Sequence, residues 1–451
     1  MTASAPLSFG QLYSWREIES YPREWLREAN LPATWDLRGL SMAQVDAALR
    51  RLVDWHEPLR TSYHLHDGVP VQEVHPEVEL PIGRVDRVIT DYGDPDRTTA
   101  ALLDVPIPMT GGLCWQGLLV STDGAPMFLS MSFSHLILDV WSIHELESQF
   151  RAVLDGATAV RLGPSGRELA RRQRDPAGAS RLAGAERYWR AVLTDPAVHR
   201  LPTLPVGVQR NRIQATLHSH RLGGLAAQAA KQLGVTAPAV VMALAAAGLA
   251  RHTAAGPTGS ARVAVSLMSS NRFTPEYQHV VGTMNQLIPV VSTVDGAATV
   301  GEHITKLHWA AAKAYRYSCY DIDRVREVAA EVGATAAHDG WFNQLHPCWF
   351  NYLQLDGSPH NANDRTPAEL AWTPLARQYG QPFDVRVTAR GGRTSVALRV
   401  DPEVIPAEAL TAILRDIALG VQRAVSEPTS SLKDLWNAGG AGPHRTLFPK
   451  D

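Results

Sequence analysis

Between residues 126 and 135 the chain alternates. Met127, Leu129, Met131, Phe133 and His135 fall on one face, with Ser130, Ser132 and Ser134 on the other. That is the period of a strand. After Asp139 the period lengthens: Val140, Ile143, Leu146, Phe150 and Val153 recur as on one side of a helix. Met42, Val45, Ala48, Leu49 and Leu52 predict another helix, with Ser41 placed to cap it. Residues 60–65 and 69–74 flank Asp67 and Gly68, a hairpin signal. Further on, the pattern predicts strands over 262–268 and 287–292, a strand pair around Gly391 and Gly392, and a helix over 406–425. Residues 163–184, rich in Gly, Pro and Arg, read as a connection. Residues 356–366 read as a surface loop and 439–451 as a loose tail. The mixture makes the fold class α/β.

Composition narrows the classes of function. At 451 residues with 45% hydrophobic content, the chain exceeds one ordinary core, and two domains are expected, 1–170 and 171–451. Lys and Arg number 43 against 45 Asp and Glu, a net charge of -2. No basic surplus argues for nucleic acid or an anionic membrane. Cys114, Cys319 and Cys348 are far apart and form no CxxC, which argues against a disulfide framework or a zinc site and suits a reducing cytoplasm. The opening residues carry no signal-peptide pattern, and the apolar run at 237–250 is shorter than the roughly 20 residues of a membrane span. A cytoplasmic protein is expected.

Chemistry concentrates at SHLILDVWS, where Asp139 follows His135 by four residues. With 17 histidines, about one such pair arises by chance, and His360 with Asp364 in a polar loop is taken as that accident. His135 differs in closing a strand just before a helix, where an imidazole can be held rigidly at a cleft and accept a proton from an amine or hydroxyl. His64 and His66 lack a third metal ligand nearby. No HExxH, P-loop, GxGxxG or GxSxG occurs.

PLSFGQLYSW, WHEPLRTSY, SHLILDVWS and PFDVRV, spread nearly end to end along the chain, resemble motifs of the condensation domains of nonribosomal peptide synthesis, within the chloramphenicol-acetyltransferase-like superfamily. PLSFGQLYSW resembles the family's opening motif, with Ser8 and Gln11 in place. WHEPLRTSY resembles RHExLRTxF, and SHLILDVWS stands where the family has HHxxxDGWS. RYWRAVL with LPTLP, SLMSSNR, VGTMNQLIPV, PCWFNY, PFDVRV and EPTSSLKDL follow in the family's order.

The resemblance implies two chloramphenicol-acetyltransferase-like lobes in a V, with a central tunnel. It makes His135 the catalytic histidine, Asp139 a structural aspartate and Arg272 its partner. Ser134, Val140, Trp141, Ser142 and Asn285 are expected at the tunnel. Ser134 replaces the family's first histidine and Val140 its glycine, so Val140 is expected to narrow the tunnel. The implied reaction joins an acyl or aminoacyl thioester, carried on a carrier protein's phosphopantetheine, to an amine or hydroxyl acceptor. The partners are then an acyl or peptidyl carrier protein and a small-molecule acceptor or second carrier protein, with neither nucleic acid nor membrane, and no cofactor or metal is bound. Because the resemblance fills the chain, a free-standing enzyme is expected. Two alternatives remain: an acyl-CoA-dependent acyltransferase, and a catalytically silent module that docks a partner protein.

Overall fold

The computed structural model describes residues 4–199, 201–202, 211–253, 260–334, 341–373 and 381–439. It divides into two units that are not linear in sequence. The first comprises Met1–Ala183 and takes back two later segments, Ser270–Gln286 and Cys319–Arg324. The second comprises Gly184–Ser269, Leu287–Ser318 and Val325–Asp451.

In the first unit, strand β1 (Ala5–Pro6) leads into helix α1 (Phe9–Glu19). Ser8 and Gln11 cap it reciprocally: the Gln11 amide donates to Ser8 Oγ, and the Ser8 amide to Gln11 Oε1 at 2.8 Å. Strand β2 (Asn30–Asp36) precedes α2 (Met42–Trp55), where Ser41 and Gln44 repeat the device. Strands β3 (Thr61–His66) and β4 (Val69–Val74) form the expected hairpin. Both of its turn residues have positive φ, Asp67 at 51° and Gly68 at 79°.

Strand β5 (Ile82–Asp86), helix α3 (Asp94–Leu103), strands β6 (Trp115–Thr122) and β7 (Ala125–Ser134), and helices α4 (Val140–Leu154) and α5 (Gly166–Gln173) complete this run. The four-stranded sheet has the order β2-β7-β6-β5. Met131 and Phe133 on one face pack with Leu49 and Leu52 of α2 and Leu146 of α4. The serine face lies under α3, where Thr99 Oγ1 donates to Ser130 Oγ at 2.8 Å. The strand is therefore buried on both sides; its serines are not a solvent face but polar groups under a helix.

Two expectations change here. The strand ends at Ser134, and His135 opens the turn that follows. The connection expected over 163–184 is structured, because its apolar Leu169 and Ala170 are buried on α5. Arg167 of α5 bonds Glu57, and Gln173 Oε1 accepts from the Phe9 amide at 2.7 Å. Helix α6 (Ala179–Leu193) then begins within the same stretch.

In the second unit, strands β8 (Val198–His199) and β9 (Ile213–Ser219) precede helices α7 (Leu222–Leu233) and α8 (Ala237–Thr253) and strand β10 (Ser260–Ser269). The short helix α9 (Pro275–Gln278) belongs to the first unit. Then come β11 (Gln286–Asp295), α10 (Val300–Tyr315), α11 (Ile322–Glu331), α12 (Trp341–Leu345), β12 (Cys348–Gln354), β13 (Glu369–Thr373), β14 (Phe383–Arg390), β15 (Arg393–Val400), α13 (Ala407–Ser426) and α14 (Leu432–Gly439), with Gln286 of β11 and residues 322–324 of α11 counted in the first unit. The main sheet runs β11-β10-β12-β14-β15-β9-β13, with parallel and antiparallel pairs, and β8 joins β10.

Helices α8 and α13 pack directly. A Cβ at Gly420 would stand 2.4 Å from Leu244 Cδ2, so a larger residue there would force the Leu244 side chain to shift. Asp384 of the PFDVRV motif accepts from Arg212 Nη2 at 3.0 Å, both fully or nearly fully buried. Residues 356–366 form a loop as expected. Residues 203–205 of the LPTLP stretch and the tail beyond 439 lie outside the described residues. No single helix among the described residues is long and apolar enough to cross a membrane.

Candidate active site

His135 sits one residue past β7, in the first position of a turn that leads into α4. Its amide donates to Ala29 O at 2.7 Å, extending the β2–β7 ladder by one rung. The residue is half-buried. Its Nδ1 is buried with no hydrogen-bond partner, and no side-chain hydrogen bond to a described residue holds the ring. Ser134 lies beneath, 2% exposed, with its Oγ accepting from the Leu136 amide at 3.3 Å.

Asp139 carries two duties. It is the N-cap of α4, its Oδ1 accepting from the Ser142 amide at 2.9 Å. It also receives Arg272: Nη1 donates to Oδ2 at 2.7 Å and Nη2 to Oδ1 at 3.0 Å. The Met284 amide adds a fourth bond, to Oδ2 at 3.1 Å. A carboxylate offers about four lone-pair sites, and all four are used. Asp139 is 0% exposed and the Arg272 side chain 1%. Ion pairs so far from water fix geometry more reliably than they add stability. Asp139 therefore has no oxygen left to receive a proton from a substrate.

Ser142, expected at the tunnel, is equally committed. Its hydroxyl donates to Gly282 O at 2.7 Å and accepts from the Gly282 amide and Arg272 Nη2, each at 2.9 Å. One donor and two acceptor positions exhaust a hydroxyl, and the residue is 0% exposed. It is a brace, with nothing to offer a ligand.

The loop facing α4 is held from several directions. Asn271 adopts φ 55°, the left-handed region that Asn enters more readily than most residues. Its Nδ2 donates to Met284 O at 2.9 Å, tying together the two ends of the 270–286 segment. Trp141 is 48% exposed and its Nε1 donates to Gln278 O at 2.8 Å. Glu145 accepts from His279 at 3.1 Å and from Gln149 at 2.8 Å. Gln149 Oε1 in turn stands 2.7 Å from His56 Nε2. Since that oxygen only accepts, Nε2 carries the ring proton. Burial pushes His56 down to about 4, so it is neutral at neutral pH. Gly10 seats the same loop: a Cβ there would stand 2.3 Å from Thr283 O.

Val140 is the first residue of α4 and half-buried. It is not among the positive-φ residues, so the position makes no conformational demand for glycine. What the valine adds is bulk. Asn285 is half-buried at the end of the Arg272 loop. The sequence singled out neither Asn271, Gly10 nor the capping role of Asp139. An Asp directly before an apolar helical run was the available signal for the last.

Comparison with known proteins identifies the family and the fold. A linear gramicidin synthase of Brevibacillus parabrevis is 26% identical over 334 residues, 69% of this chain but 4% of that protein. Bacitracin synthase 2 of Bacillus licheniformis is 24% identical over 336 residues, 72% of this chain and 12% of that protein. The chain thus spans a small fraction of the length of these relatives. The condensation domain of the monacolin K polyketide synthase MokA superposes with a TM-score of 0.73 at 16% identity, covering 95% of this chain and 99% of that one. The condensation domain described for chain release from the enacyloxin polyketide synthase gives 0.71 at 17%, covering 95% and 84%. The α/β fold with mixed sheets is therefore the chloramphenicol-acetyltransferase-like fold of condensation domains. The family model named Condensation domain matches residues 2–437, and the chain belongs to that family.

Proposed function

We propose that this chain joins an acyl or aminoacyl thioester, presented on the phosphopantetheine of a carrier protein, to an amine or hydroxyl acceptor. The acceptor is a small molecule or the load of a second carrier protein. The observation that carries the reading is a contrast within one motif. Asp139, Ser142 and Arg272 are committed to one another, whereas the half-buried His135 ring has no side-chain hydrogen bond to the described residues. His135 is the proposed catalytic residue. It would deprotonate or orient the nucleophile as that attacks the thioester carbonyl; the carbon–sulfur bond breaks and the carrier leaves as its thiol. A thioester is already activated, so the protein supplies orientation and proton management. Asp139 and Arg272 are scaffold. Ser134, Val140, Trp141 and Asn285 are the proposed surroundings of the substrate, and domains 1–170 and 171–451 the proposed lobes.

The test is intact mass of loaded carrier proteins incubated with the chain and trial nucleophiles. His135→Ala should reduce product by roughly 100-fold or more while the fold survives; undiminished turnover would sink the reading. A second reading takes the acyl group from coenzyme A. A starter condensation domain of rhizomide synthetase, 19% identical with a TM-score of 0.70, was solved with C8-CoA. Assaying acyl-CoA against acyl-carrier donors separates the two.

A further inference from the structure

Asn30, the first residue of β2, is buried at 9% exposure and stands opposite Ser134 in the sheet register. Its Nδ2 uses both hydrogens on the end of α3, donating to Leu103 O at 3.0 Å and Val105 O at 2.8 Å. Its Oδ1 is buried and accepts from no described residue. A buried amide with one half unsatisfied is an unfavourable choice for a strand end. The half that is satisfied must therefore matter. The backbone one residue earlier shows where. Ala29 O is the acceptor for the His135 amide at 2.7 Å, the last bond before the chain turns toward α4.

We infer that Asn30 is a positioning residue for His135: it clamps the start of β2 to the end of α3 and so holds the carbonyl that fixes the His135 turn. The inference rests on His135 being catalytic only for its effect on rate; the clamp itself is a property of the fold. The His135 ring has no side-chain hydrogen bond to the described residues. Its position is thus set by its backbone, and a displacement on the order of 1 Å at a reacting group costs rate steeply. Thr34, further along β2, makes a comparable tie to α3 through Thr99 Oγ1 at 2.7 Å, but away from His135.

The experiment compares Asn30→Ala, Asn30→Asp and Thr34→Val in the full chain. It reads kcat and KM on carrier-bound thioester and native-state hydrogen exchange of the His135 amide. Both Asn30 variants should lower kcat by roughly tenfold or more with KM for the carrier little changed. Both should speed exchange of the His135 amide by at least roughly tenfold. Asp has the shape of Asn without its N–H groups, so a space-filling role predicts that Asn30→Asp behaves as wild type, and that result would overturn the inference. Thr34→Val should leave kcat and His135 exchange near wild type; an equal effect there would also overturn it. Should the Asn30 variants fail to fold, denaturant-dependent exchange in the wild type decides. The Asn30 side-chain amide and the His135 amide should open with the same dependence, and independent opening counts against the clamp. An inactive wild type defeats the proposed reaction while the exchange measurements still judge Asn30.

Discussion

Arg272 places both ends of its guanidinium on Asp139, Nη1 on one carboxylate oxygen at 2.7 Å and Nη2 on the other at 3.0 Å. Neither group touches water, so removing one leaves the other charged, buried and unpaired. Asp139→Leu or Arg272→Leu alone should cost roughly 3–5 kcal/mol in urea unfolding. The double replacement should cost less than either, because it removes both charges. Additive losses would contradict the assignment of the pair as a mutually compensated unit.

Gly10 tests how tightly the Arg272 loop is seated. A Cβ there would stand 2.3 Å from Thr283 O, a backbone atom that cannot swing aside. Gly10→Ala should cost roughly 1–3 kcal/mol in thermal or urea unfolding. Gly112→Ala, with no neighbour within 4 Å, should stay within about 0.5 kcal/mol of wild type.

Val140→Gly separates conformation from bulk. At the first position of α4, the change should cost up to about 1 kcal/mol of stability. Its proposed effect on function is to widen access for the acyl donor. The ratio of kcat/KM for branched over short linear donors should rise several-fold. An unchanged ratio removes Val140 from the determinants of donor size.

His56 gives the fold an acid-sensitive element. Burial pushes it down to about 4 from an ordinary 6.5, so between those values the unfolded chain binds a proton that the folded chain does not. Stability should therefore fall as pH drops from about 7 toward 4, and His56 should account for on the order of 3 kcal/mol of that loss. His56→Gln keeps a donor for Gln149 and removes the titration. Its urea midpoint should depend less on pH over that interval; an identical slope would exclude His56 as the source.

Elements with a strong local period were readable from residues alone. The hairpin at Asp67 and Gly68 and the cap at Ser41 follow from turn and capping chemistry that needs no tertiary context. Strand β7 was found but its surroundings were not, since Ser130 and Ser132 look solvent-facing until Thr99 is folded over them. Residues 163–184 read as a linker because α5 has only two buried residues, Leu169 and Ala170, too few to show a period. At the site, the motif singled out His135, Asp139 and Arg272. It could not reveal that Ser142 is hydrogen-bonded to capacity, since Gly282 and Arg272 reach it only through folding. Asn30 was invisible for the same reason: nothing in the sequence links it to Leu103 or Val105.

The division of the chain into non-linear units has a consequence for time. Asp139 and Arg272 lie 133 residues apart. At a synthesis rate of about 5–20 residues per second, roughly ten seconds pass between the making of one and the making of the other. Throughout that interval the turn bearing His135 exists without the arginine that later anchors it. Cys319–Arg324 arrives later still. The unit that contains His135 is thus begun first and finished late.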